Sequence, residues 1–440
     1  MTEWSLPAPG RLPRWPLLAM FGAVPLLWLS GGFYLGWPLL GVLLALMLLA
    51  RRERVELPTG ATFWLVFCAL AALSASRRSG SEVMVAALRL SFYLTALAVA
   101  LYVYTALREG QPWARIFRPL CLFWLAVVAL GWLGVLVPRL TGTSPLEAVL
   151  PRGLAVNPFI HDLVHLRSAE FSERSAQPIY RPSAPFPYTN TWGSTWALLV
   201  PCVVAYLMSV RGTRLRTVLL ISLPLSVPPA FLTLNRGMFV SLGVGLAVLA
   251  LRAVVRRQAK VVVSVLVAVG LVGATSLIIP VDQLIAARTS SSDTTSDRLS
   301  LYRQAVVLAE RAPLLGYGGP VTLDTTTADA PVGTQGQFWQ VLVAHGIPAL
   351  VIFLGWFVVV ARRLGRAVSP AGQWLATVPV IAAVQLPFYG ITFHNLSVLF
   401  YAVGLAMAAV DGPVRRPVRA AGRTPTSTAP APPRLAGVYR

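Results

Sequence analysis

The chain reads as an all-α polytopic membrane protein with about twelve transmembrane helices and two long extracytoplasmic loops, the second carrying a helix. Three observations predict this. Hydrophobic residues make up 56% of the 440 and charged residues only 12%, which excludes a soluble core. Apolar runs near 20 residues, about the length that spans a hydrocarbon layer of roughly 30 Å, recur along the whole chain. Arginines gather in alternate connections between those runs, as they do in cytoplasmic loops.

In order, the runs cover 16–31, 33–50, 61–76, 84–107, 116–137, 190–210, 215–233, 237–255, 260–279, 338–361, 373–389 and 395–411. The run 215–233 is broken by Pro224, Pro228 and Pro229, so eleven or thirteen spans fit the pattern as well. The first run does not read as a signal peptide, because a second follows at once and no small-residue cleavage site appears. Twelve spans put both termini on one side. Arg51, Arg52 and Arg54, Arg108, Arg115 and Arg118, Arg211, Arg214 and Arg216, Arg256, Arg257 and Lys260, and Arg362, Arg363 and Arg366 fall in one set of loops. The positive-inside rule makes that set and both termini cytoplasmic, in a multi-pass protein of the cytoplasmic membrane.

Residues 1–410 then form the membrane domain, with outer loops at about 138–189 and 280–335. Residues 411–440, rich in Pro, Ala, Thr and Arg, read as a disordered basic cytoplasmic tail. The net charge of +21 is mostly this topology signal plus the tail, so membrane lipids rather than nucleic acid are the expected partners. Cys68, Cys121 and Cys202 lie within or at the ends of runs, far apart, and suggest no disulfide framework or metal cluster.

Chemistry is expected in the second outer loop. It opens with the polar cluster TSSSDTTSD (289–297), continues as SDRLSLYRQAVVLAERAPLLGYGGP (296–320), and closes with VTLDTTTADAPVG (321–333). Leu299, Tyr302, Val306 and Ala309 follow helical spacing, which predicts a helix packed along that stripe. The first loop holds HDLVH, whose His161 and His165 share one helix face; a metal pair is conceivable, an exposed loop helix is the plainer reading, and no metal is assigned.

Arginines on the outer side run against the charge rule and ask for a reason. Arg236 sits in a short turn, LNRGMF; Arg288, Arg298 and Arg303 lie in the second loop; Arg77 and Arg78 occupy another turn. Arg89 falls inside a span, where a charged side chain costs about 2.5–3.5 kcal/mol, although it stands close enough to Glu82 to reach the interface. Phosphate recognition is the chemistry that wants such residues, because guanidinium is planar, always charged and binds phosphate oxygens in pairs. A lipid-linked diphosphate carries its charge at that depth.

Four segments resemble the O-antigen ligase and O-antigen polymerase family: RPSAPFPYTNTWGSTWALLVP (181–201), LNRGMFVSLGVGL (234–246), DRLSLYRQAVVLAERAPLLGYGG (297–319) and QGQFWQVLVAHGIPALVIFLGWF (335–357). The resemblance implies a membrane glycosyltransferase that moves an oligosaccharide from polyprenyl diphosphate to an acceptor glycan or protein, in cell-surface polysaccharide biosynthesis. It also implies that neither a metal nor another cofactor is needed. By position, Arg236 and Arg298 would hold the diphosphate, with Arg288 and Arg303 beside them and Arg89 as a further candidate. Asn190 and Gly193 would line the cavity; for Asn190 an N-cap is the equal alternative.

One departure matters. The ligases place a histidine, their proposed general base, where this chain has Gln335, and a carboxamide accepts no proton at neutral pH. Asp324, Asp329 and Glu310 lie in the same loop, and His394 in FYGITFHN is expected to face the same cavity; His345 reads as a packed helix residue. The missing histidine favours polymerase over ligase. A transporter or lipid-linked glycan flippase is the alternative of a different class, supported by Arg89 and the proline-broken run.

Overall fold

A computed structural model describes residues 11–51, 55–155, 157–172, 179–278, 294–322 and 331–412. The N-terminal run is interrupted: α1 (Trp15–Leu17) passes through a π-helical turn, Leu18–Gly22, into α2 (Val24–Leu29). Then come α3 (Gly32–Leu49), α4 (Ala61–Ala75), α5 (Ser81–Arg108) and α6 (Trp113–Leu136). The segment after α6 is not purely helical. It holds β1 (Thr141–Gly142), short helices α7 (Pro145–Val149), α8 (Arg152–Ala155) and α9 (Pro158–Val164), then β2 (Leu166–Arg167), β3 (Ala169–Ser172) and β4 (Ile179–Pro182). Two antiparallel ribbons result, β1 with β2 and β3 with β4, so the all-α expectation holds for the spans but not for this segment.

The chain continues through α10 (Thr189–Ser209), α11 (Arg214–Leu225), α12 (Val227–Leu232), α13 (Arg236–Val255), α14 (Ala259–Ile278), α15 (Thr294–Arg311), α16 (Gln337–Leu364), α17 (Pro370–Gln385) and α18 (His394–Asp411). Among the described residues eight segments are long and apolar enough to cross a membrane: α3, α5, α6, α10, α11 continued into α12, α13, α16 and α18. Of the other four predicted runs the first is interrupted and α4 and α17 are shorter, whereas α14 is an apolar helix of 20 residues; the described residues thus account for eight of the about twelve spans expected.

α18 lies at the centre. Every residue from His394 to Ala408 is buried, as a helix apolar on all sides should be, and it packs most extensively on α5 and also on α17 and α10. Buried tryptophans tie the helices together through their N–H groups: Trp37 Nε1 donates to Ser397 Oγ at 3.0 Å, Trp64 Nε1 to Tyr93 O at 2.9 Å, and Trp192 Nε1 to Val127 O at 3.1 Å.

α15 forms where the loop pattern predicts a helix, and of the predicted stripe Tyr302 and Ala309 turn inward while the rest of the buried face is shifted. Leu301, Ala305 and Leu308 pack with Val332 and Val343, while Leu299 and Val306 are exposed. Small Ala305 lets α15 approach closely, and Tyr302 stacks on Trp339 of α16 with ring centroids 4.5 Å apart. The turn after α15 then docks into a break in α16. Gly346 has φ +81° and ψ −179°, a conformation essentially reserved for glycine, and Pro348 has no N–H to give. Two carbonyls of α16 lose their helical partners and the turn supplies new ones. Tyr317 N–H donates to Val343 O at 2.9 Å, Gly318 N–H to Ala344 O at 2.7 Å, and Ile347 N–H donates back to Pro313 O at 2.8 Å.

Candidate active site

The first residues of α5, α10, α13, α16 and α18 meet at one end of the bundle, and the loop segments cover them. A cavity of about 350 Å³ opens there. Arg89 of α5, Phe159 and Leu163 of α9, Tyr188, Asn190 and Thr191 at the start of α10, Gln335 and Gln340 around the start of α16, and the 388–393 turn before α18 form its wall. A second cavity of about 830 Å³ adjoins it and shares Arg89, Phe159, Tyr188 and Thr334.

Arg89 is the dominant charge. Its Nε is buried and has no hydrogen-bond partner among the described residues, and its Cζ lies 5.9 Å from the Phe159 ring centroid, a cation–π distance. The carboxylates nearby are engaged elsewhere. Glu82 pairs with Arg78 at 2.6 Å, and Asp162 pairs with Arg167 while accepting from Tyr188 Oη at 2.7 Å. Burial, with the Asp162 hydrogen bond adding to it, pushes the Tyr188 phenol up, so it stays protonated and donates. An uncompensated guanidinium between two cavities is suited to an anion.

The start of α16 fixes the opposite wall. Gln337 N–H donates to Tyr389 O and Phe338 N–H to Leu386 O, both at 2.9 Å, so two orphan donors of the helix end hold the 386–389 turn. The fully buried Gln337 side chain donates from Nε2 to Tyr93 Oη at 3.1 Å and accepts from Ile391 N–H at 2.9 Å. Gln335 lines the cavity, with Nε2 3.1 Å from Thr334 Oγ1.

Arg236 opens α13 and is exposed; it is not part of the cavity wall. It is set beside the wall by Asn235, the N-cap of α13, whose Oδ1 accepts from Met238 N–H at 3.1 Å and from Tyr389 Oη, while Nδ2 reaches Asn190 O at 3.3 Å. Gly193 is a packing position rather than a lining one: a Cβ there would stand 2.6 Å from Asn235 Nδ2. Asn190 does not cap α10. Tyr188 holds the N-cap position, and Glu170 Oε2 takes the Thr189 N–H at 2.7 Å, a carboxylate at a helix N-terminus.

His394 does not face the cavity. It is fully buried, stacked on Phe33 at 3.8 Å between centroids, with Tyr34 and Trp37 each 4.4 Å away and Nε2 3.0 Å from Phe33 O. Three aromatic rings from α3 draw it inward. His345 is likewise buried, its Nδ1 against Ser74 Oγ. Arg303 and Glu310 are exposed on α15 and line neither cavity. Arg288, Asp324 and Asp329 lie outside the described residues, as does the side chain of Arg298. So the structure brings Arg89, Asn190 and Gln335 together, places Arg236 next to them, and sets His394 apart.

Arg77 and Arg78, which the sequence marks only as charge-rule exceptions, fasten the loop. Arg77 Nη1 donates to Gly316 O at 3.1 Å; Arg78 donates from Nε to Tyr317 O at 2.6 Å and from Nη2 to Pro320 O at 2.8 Å. Gly318, at φ +75°, passes so near α4 that a Cβ would lie 2.6 Å from Ser74 O. Arg78→Ala is expected to lower stability by about 2 kcal/mol, and Arg78→Lys not to restore it, because a point charge cannot reach two carbonyls as the fork does. Thermal unfolding of the detergent-solubilised variants checks this; full rescue by lysine would contradict the two-carbonyl clamp.

Residues 225–354, from the end of α11 into the middle of α16, match the family model described as O-Antigen ligase. The chain carries an O-antigen ligase domain. That domain supplies Arg236, α15, the 312–320 turn and Gln335, whereas Arg89, Phe159, Tyr188, Asn190 and the 388–393 turn come from the rest of the chain. No curated protein matches the sequence.

Proposed function

We propose that this O-antigen ligase-type membrane protein transfers oligosaccharide units from a polyprenyl-diphosphate donor on the outer face of the cytoplasmic membrane, and that it polymerises them rather than ligating them once. Both termini are then cytoplasmic. The observation that carries the reading is Arg89: a partly buried guanidinium whose Nε has no hydrogen-bond partner among the described residues, on the wall shared by two cavities, the smaller of which also holds Gln335 and Asn190. The larger cavity has room for sugar rings, with Phe159 and Tyr188 offering aromatic faces.

In the reaction the acceptor hydroxyl attacks the anomeric carbon as the bond from that carbon to the diphosphate oxygen breaks, and the carrier leaves as polyprenyl diphosphate. Arg89 from the wall and Arg236 from the start of α13 stabilise the charge that develops on the leaving group, a role worth roughly 3–4 kcal/mol per preorganised donor. Arg298 and Arg288 are further candidates. Gln335 orients the hydroxyl through a hydrogen bond but cannot take its proton. The proton is lost late, and the departing diphosphate is basic enough to accept it.

The test uses protein in liposomes with lipid-diphosphate oligosaccharide, following release of polyprenyl diphosphate and the length of the glycan product. Release with a ladder supports polymerisation; a single added block on another acceptor, glycan or protein, replaces it with ligation. Arg236→Ala should cut release by about 10²-fold. Unchanged release would remove Arg236 from the site, and lipid that only changes leaflet would make the protein a flippase.

A further inference from the structure

We propose that the segment between α6 and α10 holds a transition-metal site, best suited to zinc, made of Glu147, His161 and His165, which clamps α9 against α7 and so fixes the cavity wall. The sequence shows only two of these groups together. Glu147 arrives from the first turn of α7, and the three residues can each present one ligand atom with all atoms within 4.8 Å of one another.

The spacing fits. Zinc bonds of about 2.0–2.2 Å in tetrahedral geometry set neighbouring ligand atoms roughly 3.3 Å apart. Here a single carboxylate oxygen, Glu147 Oε1, lies 3.1 Å from His165 Nδ1 and 3.4 Å from His161 Nε2. His161 is in α9 and His165 is its C-cap, so the four-residue interval puts both rings on one side, 4.8 Å apart and nearly parallel.

The surroundings already orient the ligands. Glu147 Oε2 accepts from Ser144 N–H at 3.2 Å in a capping box, which holds the carboxylate in place before any ion arrives. His165 Nε2 lies 2.8 Å from Thr141 Oγ1. With a metal on Nδ1, the ring carries its proton on Nε2 and donates it to that hydroxyl, the outer-shell contact that metal-bound histidines usually make. Both histidines also line an open cavity of about 350 Å³, which gives a fourth ligand, such as water, a way in. Two imidazoles and one carboxylate favour zinc over the oxygen-seeking magnesium or calcium.

The consequence reaches the site. α9 carries Phe159 against Arg89, Leu163 in the cavity wall and Asp162 bonded to Tyr188. Fixing its two histidines to α7 fixes all three. The ion takes no part in transfer chemistry, and the proposal does not depend on what the cavity binds.

The experiment measures metal directly. Full-length protein in detergent, purified without a histidine tag and stripped with chelator, is dialysed against zinc or cobalt(II), and bound metal per chain is determined. The expected result is about one ion per chain for wild type, with the intense visible bands of four-coordinate cobalt, and less than a tenth of that for H161A/H165A and for E147Q. E147Q guards against misfolding, because glutamine still accepts the Ser144 N–H while losing the charge that binds metal. Wild type that retains no ion, or variants that retain as much as wild type, would overturn the site.

Discussion

Arg89→Ala is expected to slow transfer by about 10²–10³-fold while leaving the fold as stable as before or more so. The two effects part company because of where the charge sits. Its Nε is buried without a hydrogen-bond partner among the described residues, and nearby Glu82 and Asp162 are committed to Arg78 and Arg167. Burying an uncompensated charge costs free energy, so removing it relieves the folded state even as it removes the anion site. Arg89→Lys should restore part of the rate, since a point charge attracts phosphate but does not bind it in pairs. The check is donor turnover in liposomes beside thermal unfolding of the same preparations. A slow variant that also unfolds early would make Arg89 a structural residue, and a variant with wild-type turnover would empty the cavity of its proposed chemistry.

Gly346→Ala is expected to cost about 3 kcal/mol and to release α15 from α16. Part of this is backbone strain, about 1–3 kcal/mol for an alanine held at φ +81° and ψ −179°. The rest is overlap, because a Cβ would stand 2.7 Å from the Leu314 carbonyl and from Pro313 O, backbone atoms that cannot swing aside. Moving them breaks the bonds from Tyr317 and Gly318 to Val343 and Ala344. Hydrogen exchange at Tyr317 and Gly318 should rise together with a fall in melting temperature. Unchanged protection at those two amides would show that the turn is held by Arg77 and Arg78 alone.

Much of the membrane part was legible in the sequence, for a physical reason. Hydrocarbon leaves the backbone no partner but itself, so apolar runs become helices almost wherever they occur. Hydropathy does not fix where each run's helix ends: α4 and α17 are 15 and 16 residues long, shorter than any of the eight candidate spans. The loop helix is legible from its period and in part from its phase: Tyr302 and Ala309 turn inward, but Leu301, Ala305 and Leu308 take the places expected of Leu299 and Val306, because Val332 and Val343, distant in sequence, cover that face. At the site, Gln335, Asn190 and Arg89 do meet. His394 was misplaced because a histidine at a helix start looks exposed until Phe33, Tyr34 and Trp37 are seen closing over it. Of the two equal readings of Asn190 the cap falls away, because Glu170 takes the Thr189 N–H at the start of α10. Glu147 carried no signal, since its partnership with His161 and His165 is made by the loop's folding alone.

The docking of the 312–320 turn into the break of α16 also sets an order of events during synthesis. Val343 and Ala344, whose carbonyls receive Tyr317 and Gly318, emerge from the ribosome after the turn itself, whereas Arg77 and Arg78 have long been in place. The turn is therefore first tethered from behind and only later latched from ahead. A nascent chain halted between the two events presents free amides at Tyr317 and Gly318 and an unstacked Tyr302, so the loop is complete only once α16 has followed it.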